Sequence, residues 1–187
     1  DGERRLASCV GYEPPQWSPD GQRIAFVEQS TSPGSIYTVN VNGTDLKQLT
    51  DDGDQPRWSP DGNRIVFTSA RTGRRLVYVM NADGSDQALL TPGYARAVDP
   101  CWSPDGLHIA YAGNRNLDYA ELNEIYVMGA DGSGQTRLIG YGSSECARPL
   151  WSPDGSKIAF VHNDAYSSPH GGINTNVMDA DGTHVRV

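Results

Sequence analysis

Hydrophobic residues occur along this chain in short runs, and each run ends at a cluster of Gly, Pro, Asp or Asn. Residues 64–68 and 76–80, for example, are rich in β-branched and aromatic side chains and flank a polar loop. Such runs are typical of β-strands, and the polar clusters between them are typical of tight turns. The pattern therefore predicts an all-β protein built from many short strands.

These strands recur as a unit that contains the pentapeptide Trp-Ser-Pro-Asp-Gly. The pentapeptide begins at Trp17, Trp58, Trp102 and Trp151, so the unit returns after about 40 to 50 residues. Pro and Gly make the pentapeptide a turn between a first and a second strand. A third strand, an Asp-Gly or Asn-Gly turn and a fourth strand follow in each unit. We expect the recurring tryptophan to pack between units.

Each unit is thus predicted to be a four-stranded antiparallel meander. One such sheet cannot bury two apolar faces alone, and stacking similar sheets around an axis gives a β-propeller. A β-sandwich is the alternative, but the repeat interval is too long for its strand spacing. We expect blades at about 14–50, 55–91, 99–139 and 148–187, with 1–8 as the outer strand of a preceding or partner blade.

The same residues resemble the TolB-type propeller repeat, a relative of WD-repeat propellers. The resemblance covers Pro56 and Trp58 to Gly62, then Ile65 to Phe67, Val77 to Met80 and Asp83-Gly84. It implies a rigid propeller of the kind present in periplasmic Tol-system proteins, in propellers attached to peptidases and in surface proteins. The TolB propeller resembles a six-bladed ring, so four units do not fill it.

The chain opens with what looks like the end of another unit. Residues 1–6 resemble residues 131–138, which places Arg4, Arg5 and Leu6 on an orphan outer strand. Three interpretations remain open: a fragment of a larger propeller, copies that complete one another's blades, and a compact four-bladed ring. Unpaired sheet edges at an open end would favour pairing with another chain.

Charge and composition limit the partners. The formal net charge is -8 and the sequence pI is about 4.8, with no Lys/Arg-rich run. A nucleic-acid partner is therefore not expected. No apolar run approaches the roughly 18 residues that a membrane span needs, so we expect no membrane span. The expected partners are a protein or a surface macromolecule, with self-association as a further expectation.

The loops between second and third strands are the first candidate binding site. They vary in length between units, and variable loops on a rigid scaffold are where binding residues concentrate. Tyrosine adds a rigid apolar face with a polar tip. The candidates are Asn114, Arg115, Asp118, Tyr119 and Glu121 in one loop, and His162, Asp164, Tyr166 and His170 in another.

The second candidate site is the mouth of the central channel. Residues at or beside the proline of each first strand should ring it, namely Glu13, Gln55, Asp99 and Arg148. A ring of mixed charge suits a peptide end or an ion.

Metal and catalytic motifs are weak in this sequence. Aspartates recur in the turns, but none lies in a full calcium loop with its closing Glu, so we expect no cofactor, with calcium as the alternative. His162 and His170 lack metal-ligand spacing on one element, and no Gly-x-Ser-x-Gly motif is present. We therefore expect the chain not to be an enzyme.

Three functions fit these expectations. The first is a non-catalytic propeller that binds a protein or another macromolecule in the periplasm or outside the cell. The second is a self-assembling structural or filament subunit completed by strand or blade pairing between chains. The third is a gating or sensor propeller from a peptidase or a receptor.

Overall fold

The structure is a computed structural model of the 187-residue chain, and it describes residues 13–29, 34–116, 122–142, 144–164 and 172–186. These residues form fifteen β-strands and contain no helix. In chain order the strands are β1 Gln16–Trp17, β2 Arg23–Glu28, β3 Ser35–Asn40, β4 Lys47–Thr50, β5 Asp54–Trp58, β6 Arg64–Ser69, β7 Leu76–Asn81, β8 Ala88–Leu89, β9 Arg96–Trp102, β10 His108–Asn114, β11 Glu124–Gly129, β12 Thr136–Ile139, β13 Glu145–Trp151, β14 Lys157–Asn163 and β15 Ile173–Asp179.

The strands form four antiparallel sheets, one for each sequence unit, and every sheet keeps the strands in chain order. The first three sheets have four strands, β1–β4, β5–β8 and β9–β12. The fourth sheet has the three strands β13–β15, and an isolated bridge between Val177 and Arg186 marks the position of its fourth strand. The all-β, blade-by-blade prediction is therefore confirmed. The predicted orphan strand with Arg4, Arg5 and Leu6 lies outside the described residues.

The blades pack on one another in sequence order. One buried apolar cluster runs through the first three blades, and a second lies between the third and fourth. Successive side chains of strand β10 point to opposite faces of its sheet and enter different clusters. Ile109 and Tyr111 belong to the first cluster, and Ala110 and Ala112 belong to the second. Among the described strands, the first and fourth blades share no extensive contact. The four blades therefore do not close into a ring, and the compact four-bladed alternative is wrong.

The repeated tryptophan is a contact between blades. Trp58 is 8% exposed, and its indole N–H donates to Gln16 O of the preceding blade at 3.3 Å. Trp102 is 6% exposed and donates in the same way to Arg57 O at 3.2 Å. The first tryptophan of the chain, Trp17, is 63% exposed. The same pentapeptide thus packs an indole only where a blade precedes it in the structure.

The rest of the pentapeptide forms a hydrogen-bonded turn. In the second blade, Ser59 Oγ accepts from Arg64 N at 2.9 Å and donates to Asp61 Oδ1 at 2.5 Å. The same carboxylate accepts from Asn63 N at 3.1 Å. Gly62 has a φ of 71°, in the region where glycine is not strained. The serine and the aspartate therefore fix the turn between the first and second strands.

These hydrogen bonds stabilise the ionised carboxylates. The serine hydroxyl is the main cause that lowers the pKa of Asp20, Asp61 and Asp105 below 3.8, followed by the backbone N–H. In the fourth blade the Ser152 hydroxyl and the Ser156 N–H lower the pKa of Asp154 to about 2.

The lowered pKa values predict a loss of stability in acid. A carboxylate whose folded pKa lies below its unfolded pKa stabilises the fold above the unfolded value, and this contribution is lost as pH falls through the folded value. We expect the urea midpoint to be level above about pH 5 and to fall between about pH 4 and pH 2. The measurement is urea unfolding across this range, followed by tryptophan fluorescence.

The variant Ser152→Ala is the control for this assignment. It should raise the pKa of Asp154, measured by NMR titration, toward the usual value of about 3.9. A Ser152→Ala protein in which the pKa of Asp154 stays near its original value would contradict the role of the serine.

Candidate functional site at the mouth of the channel

The inner strands of three blades share an unusual backbone conformation at the residue before their proline. Gln55, Asp99 and Arg148 have φ values of 55°, 54° and 52°, and each precedes a proline. Each lies where the register between the first and second strands shifts, at a β-bulge. A non-glycine residue in the left-handed region is strained by roughly 1–2 kcal/mol and persists only where its surroundings hold it. Three such residues at equivalent positions of three blades indicate that neighbouring groups hold the backbone here.

A hydrogen-bond ladder across the blades holds these residues. Gln55 Oε1 accepts from Asp99 N at 3.0 Å, and Gln55 Nε2 donates to Asp99 Oδ1. Asp99 Oδ2 in turn accepts from Arg148 N at 3.1 Å. Thr68 Oγ1 donates to Gln55 Oε1 at 2.8 Å and anchors the ladder in the second blade. Each side chain therefore fixes the backbone of the equivalent residue in the next blade.

The first blade departs from this arrangement. Pro15 precedes Gln16-Trp17 as Pro56 precedes Arg57-Trp58, so the residue equivalent to Gln55 is Pro14 and not Glu13. A proline cannot adopt a positive φ. Glu13 instead places its Oε2 3.7 Å from Arg57 Nη2. The carboxylate reaches the channel mouth from outside the ladder.

The four predicted channel-mouth residues come together, and three of them line one cavity. Glu13, Asp99 and Arg148 line a cavity of about 350 Å³, whereas Gln55 is held in the ladder and is not part of its wall. The remaining wall residues are Pro14, Arg57, Pro100, Cys101, Pro149 and Leu150. Residues of the second, third and fourth blades, together with Glu13 and Pro14 just before the first strand, thus surround one opening.

Sequence reasoning missed Arg57, Cys101 and Leu150. Each stands just before the repeated tryptophan, two residues after a left-handed residue, so its side chain faces the channel. The sequence contained a signal for them. In these three units the position lies between an invariant proline and the invariant tryptophan, yet it holds a different residue in each. Cys101 is only partly buried and lies in the cavity wall. Burial raises the pKa of its thiol, so the neutral form dominates at neutral pH.

The cavity is polar and of mixed charge. Arg57 and Arg148 bring two cations, Glu13 and Asp99 bring two carboxylates, and three prolines form a rigid apolar part of the wall. Charged groups of both signs next to a rigid wall can hold a polypeptide end or a polar extended segment.

The first predicted binding loop joins the outer part of the same face. The register of β9 and β10 pairs Asn114 with Arg96, so this loop lies at the end of the sheet where the inner strand begins. The Arg115 guanidinium lies 4.6 Å from the ring centre of Tyr94 and donates to Gln135 Oε1 at 3.2 Å. Asn114 and Arg115 line a separate cavity of about 270 Å³. Asp118, Tyr119 and Glu121 lie outside the described residues.

The second predicted loop is described only in part. His162 Nε2 lies 3.0 Å from Ser144 Oγ, and the His162 ring stacks on Tyr141 with centroids 4.0 Å apart. Asp164 Oδ1 accepts from Gly172 N at 2.5 Å. Tyr166 and His170 lie outside the described residues. The two loops do not share a cavity with the channel mouth in the described part of the chain, and their role in binding stays a prediction.

Within the described ranges, no group of three or more His, Cys, Asp and Glu side chains is arranged to hold a metal ion. The calcium alternative stays a prediction. In the described residues, no helix has the length and hydrophobicity that a membrane crossing requires.

Antiparallel sheets of three or four strands that pack on one another in chain order, with their inner strands in contact, are the blades of a β-propeller. The chain belongs to the TolB beta propeller domain family, whose model matches residues 4–117. A search of curated proteins finds no match.

Solved TolB structures resemble the chain throughout. A putative TolB from Agrobacterium tumefaciens is 27% identical, with a TM-score of 0.78 over 91% of this chain and 62% of that one. TolB from Acinetobacter baumannii is 24% identical, with a TM-score of 0.74 over 92% of this chain and 42% of that one. The chain therefore spans less than two thirds of the length of these two structures.

The expectation that the chain is not an enzyme is corrected by more distant structures of the same fold. A puromycin-hydrolyzing peptidase from Mycobacterium tuberculosis has a TM-score of 0.74 at 14% identity, covering 98% of this chain and 29% of that one. An oligogalacturonate lyase from Vibrio parahaemolyticus has a TM-score of 0.69 at 16% identity, covering 94% of this chain and 53% of that one. A chain of a nidogen/laminin complex has a TM-score of 0.69 at 14% identity, covering 91% of this chain and 62% of that one. This fold occurs in enzymes, so missing motifs do not exclude one.

Proposed function

We propose that this chain is the recognition part of a TolB-like propeller that binds a polypeptide or another macromolecule outside the cytoplasm. The observation that carries the proposal is the channel-mouth cavity, whose wall combines two arginines and two carboxylates from separate blades. Its volume of about 350 Å³ suits a few residues of a chain and not a folded domain.

The rigidity of the wall supports binding. The ladder through Gln55, Asp99 and Arg148 fixes the inner strands before a ligand arrives. A ligand that enters a preorganised site loses less free energy to the ordering of the protein. The strained backbone at the same three residues also fits a binding site, since strain concentrates where a surface must take one shape.

The charges favour a polypeptide end or an extended segment. Arg57 Nη1 donates to Pro56 O at 3.0 Å and its Nη2 reaches Glu13 only at 3.7 Å, while Arg148 is exposed. Both guanidinium groups therefore keep N–H donors for a carboxylate. An arginine fork binds a carboxylate in two parallel hydrogen bonds. The two acidic residues on the same wall would accept from a peptide N–H or an amine. We therefore place the carboxyl terminus of a peptide beside the two arginines.

Support for a site outside the cytoplasm comes from the family. The TolB-type repeat resembles that of periplasmic Tol-system proteins, and the acidic charge of the chain gives no basis for nucleic-acid binding. The presence of this fold in a nidogen/laminin complex agrees with a role in protein recognition.

A displayed library of random peptides with free carboxyl termini tests the proposal. Peptides selected on the wild-type chain should bind the double variant Arg57→Ala/Arg148→Ala at least about tenfold more weakly, because two charge-assisted hydrogen bonds are lost. Amidation of the peptide carboxyl terminus should weaken binding to the wild type by a similar factor. Affinities are measured by fluorescence anisotropy.

The matched control is Lys47→Ala, which removes an exposed cation from the outer strand β4. Its affinity should stay within about twofold of the wild type, a margin well below one hydrogen bond. The proposal fails if no peptide is selected, or if the double variant, folded by circular dichroism, binds the selected peptides as well as the control does.

A further inference from the structure

The junction between the third and fourth blades differs from the two junctions before it. At those junctions an arginine at the start of the second strand lies over the tryptophan of the next blade. The Arg23 Cζ is 4.7 Å from the ring centre of Trp58, and the Arg64 Cζ is 4.8 Å from that of Trp102. In the third blade the same repeat position holds His108, whose ring centre is 6.5 Å from that of Trp151. One change of residue thus removes a guanidinium from a repeated arrangement.

The shorter side chain leaves the indole less well covered. Trp58 and Trp102 are buried, whereas Trp151 is only partly buried and His108 is exposed. A cavity of about 440 Å³ lies at this junction, and its wall includes His108 and Trp151. In addition, Trp151 Nε1 is buried without a hydrogen-bond partner in the described structure, unlike the equivalent atoms of Trp58 and Trp102. The junction is therefore open where the others are filled.

The wall of this cavity has the chemistry of a guanidinium site. Asp105, Asp154 and Asp181 contribute carboxylates, and the Trp151 ring contributes a face with negative electrostatic potential. At the preceding junction Arg64 Nη1 also donates to Ala130 O at 3.3 Å. Ala180 is the equivalent residue in the fourth blade, and it lines the cavity. The groups that surround an intramolecular arginine at one junction thus surround empty space at the next.

We propose that this cavity binds an arginine side chain presented by a peptide or a protein, with its guanidinium over Trp151 as Arg23 and Arg64 lie over Trp58 and Trp102. The site is on the face formed by the Ser-Pro-Asp-Gly and Asp-Gly turns, and its wall shares no residue with that of the channel mouth. This proposal is independent of the function proposed for the channel mouth. Guanidinium is preferred to ammonium because its planar, weakly hydrated group stacks on an indole and also donates in its own plane.

Titration with small arginine derivatives tests the site. The probe is acetyl-arginine-amide, and the neutral isostere acetyl-citrulline-amide and the amine acetyl-lysine-amide are the comparison ligands at matched ionic strength. The readout is the indole N–H resonance of Trp151, assigned with the variant Trp151→Phe. We expect a saturable shift with the arginine derivative at a Kd on the order of 1 mM, a weaker response to lysine and none to citrulline.

Two variants swap the residues at the junctions. His108→Arg restores the repeat residue and should abolish the response of Trp151, because the introduced guanidinium fills the cavity. Arg64→His should create the same vacancy at the preceding junction, so that the indole resonance of Trp102 gains a response to the arginine derivative. Both variants alter a partly or fully exposed side chain at the start of a strand, so folding should persist.

Three results would overturn the proposal. The first is an equal shift with citrulline, which would show that no cation is recognised. The second is an unchanged Trp151 response in folded His108→Arg. The third is the absence of any saturable shift in the wild-type chain.

Discussion

Replacement of Trp102 by alanine is expected to lower the free energy of unfolding by about 3–5 kcal/mol. The indole is 6% exposed and belongs to the apolar cluster that joins the first three blades. The change leaves a cavity between two blades and removes the hydrogen bond to Arg57 O. It also exposes Arg64, which lies over the ring at 4.8 Å. Urea unfolding followed by circular dichroism measures the change.

Trp17→Ala is the matched control, because it alters the same residue of the same pentapeptide. Trp17 is 63% exposed, so its removal should cost less than about 1 kcal/mol. The comparison separates the contribution of the blade interface from that of the motif itself. Equal losses in the two variants would show that the tryptophan acts within its own blade and not between blades.

Asp99→Ala is expected to lower the free energy of unfolding by about 2–3 kcal/mol. Asp99 is central to the ladder, since its carboxylate contacts both Gln55 Nε2 and Arg148 N. Alanine leaves these two donors without their acceptor, and it retains a φ of 54° that a Cβ disfavours. The peptides selected for the channel mouth should also bind more weakly, because the adjacent inner strands lose their common support.

Asp99→Asn distinguishes the ladder from charge alone. Asparagine tolerates the left-handed region and keeps one acceptor oxygen. The decrease in the free energy of unfolding for Asp99→Asn should therefore be less than half of that for Asp99→Ala. Thermal unfolding by calorimetry compares the two variants. A loss in Asp99→Asn as large as that in Asp99→Ala would mean that the negative charge, and not the hydrogen-bond geometry, holds the inner strands.

The turn chemistry was predictable because it is local. Ser59, Asp61 and Gly62 lie within four residues of one another, and their hydrogen bonds close within the same turn. The interpretation of the tryptophans as contacts between blades holds for Trp58 and Trp102, whereas Trp17 is exposed and Trp151 is only partly buried. Local bonds and repetition are both readable from a single sequence.

The candidate sites were predictable only in part. Gln55, Asp99 and Arg148 were recognised from the proline that follows each of them. Glu13 was assigned to the same ring, although the repeat places Pro14 there. The difference arises because Pro14-Pro15 gives two prolines to choose from, and only the left-handed φ of the other three residues shows which position matters. The positions before each tryptophan could be assigned to the cavity wall only once the structure showed in which direction the side chains of the strand point.

By itself, the sequence determined the strand order within each blade, the turns and the propeller class, because period, turn residues and strand composition act over short distances. The tertiary structure alone decided which contacts between the blades form. It showed that the first and fourth blades do not meet, that a ladder connects three left-handed residues, and that His108 leaves open a junction that Arg23 and Arg64 fill elsewhere. These features depend on distances between residues more than thirty positions apart along the chain, which the local pattern does not encode.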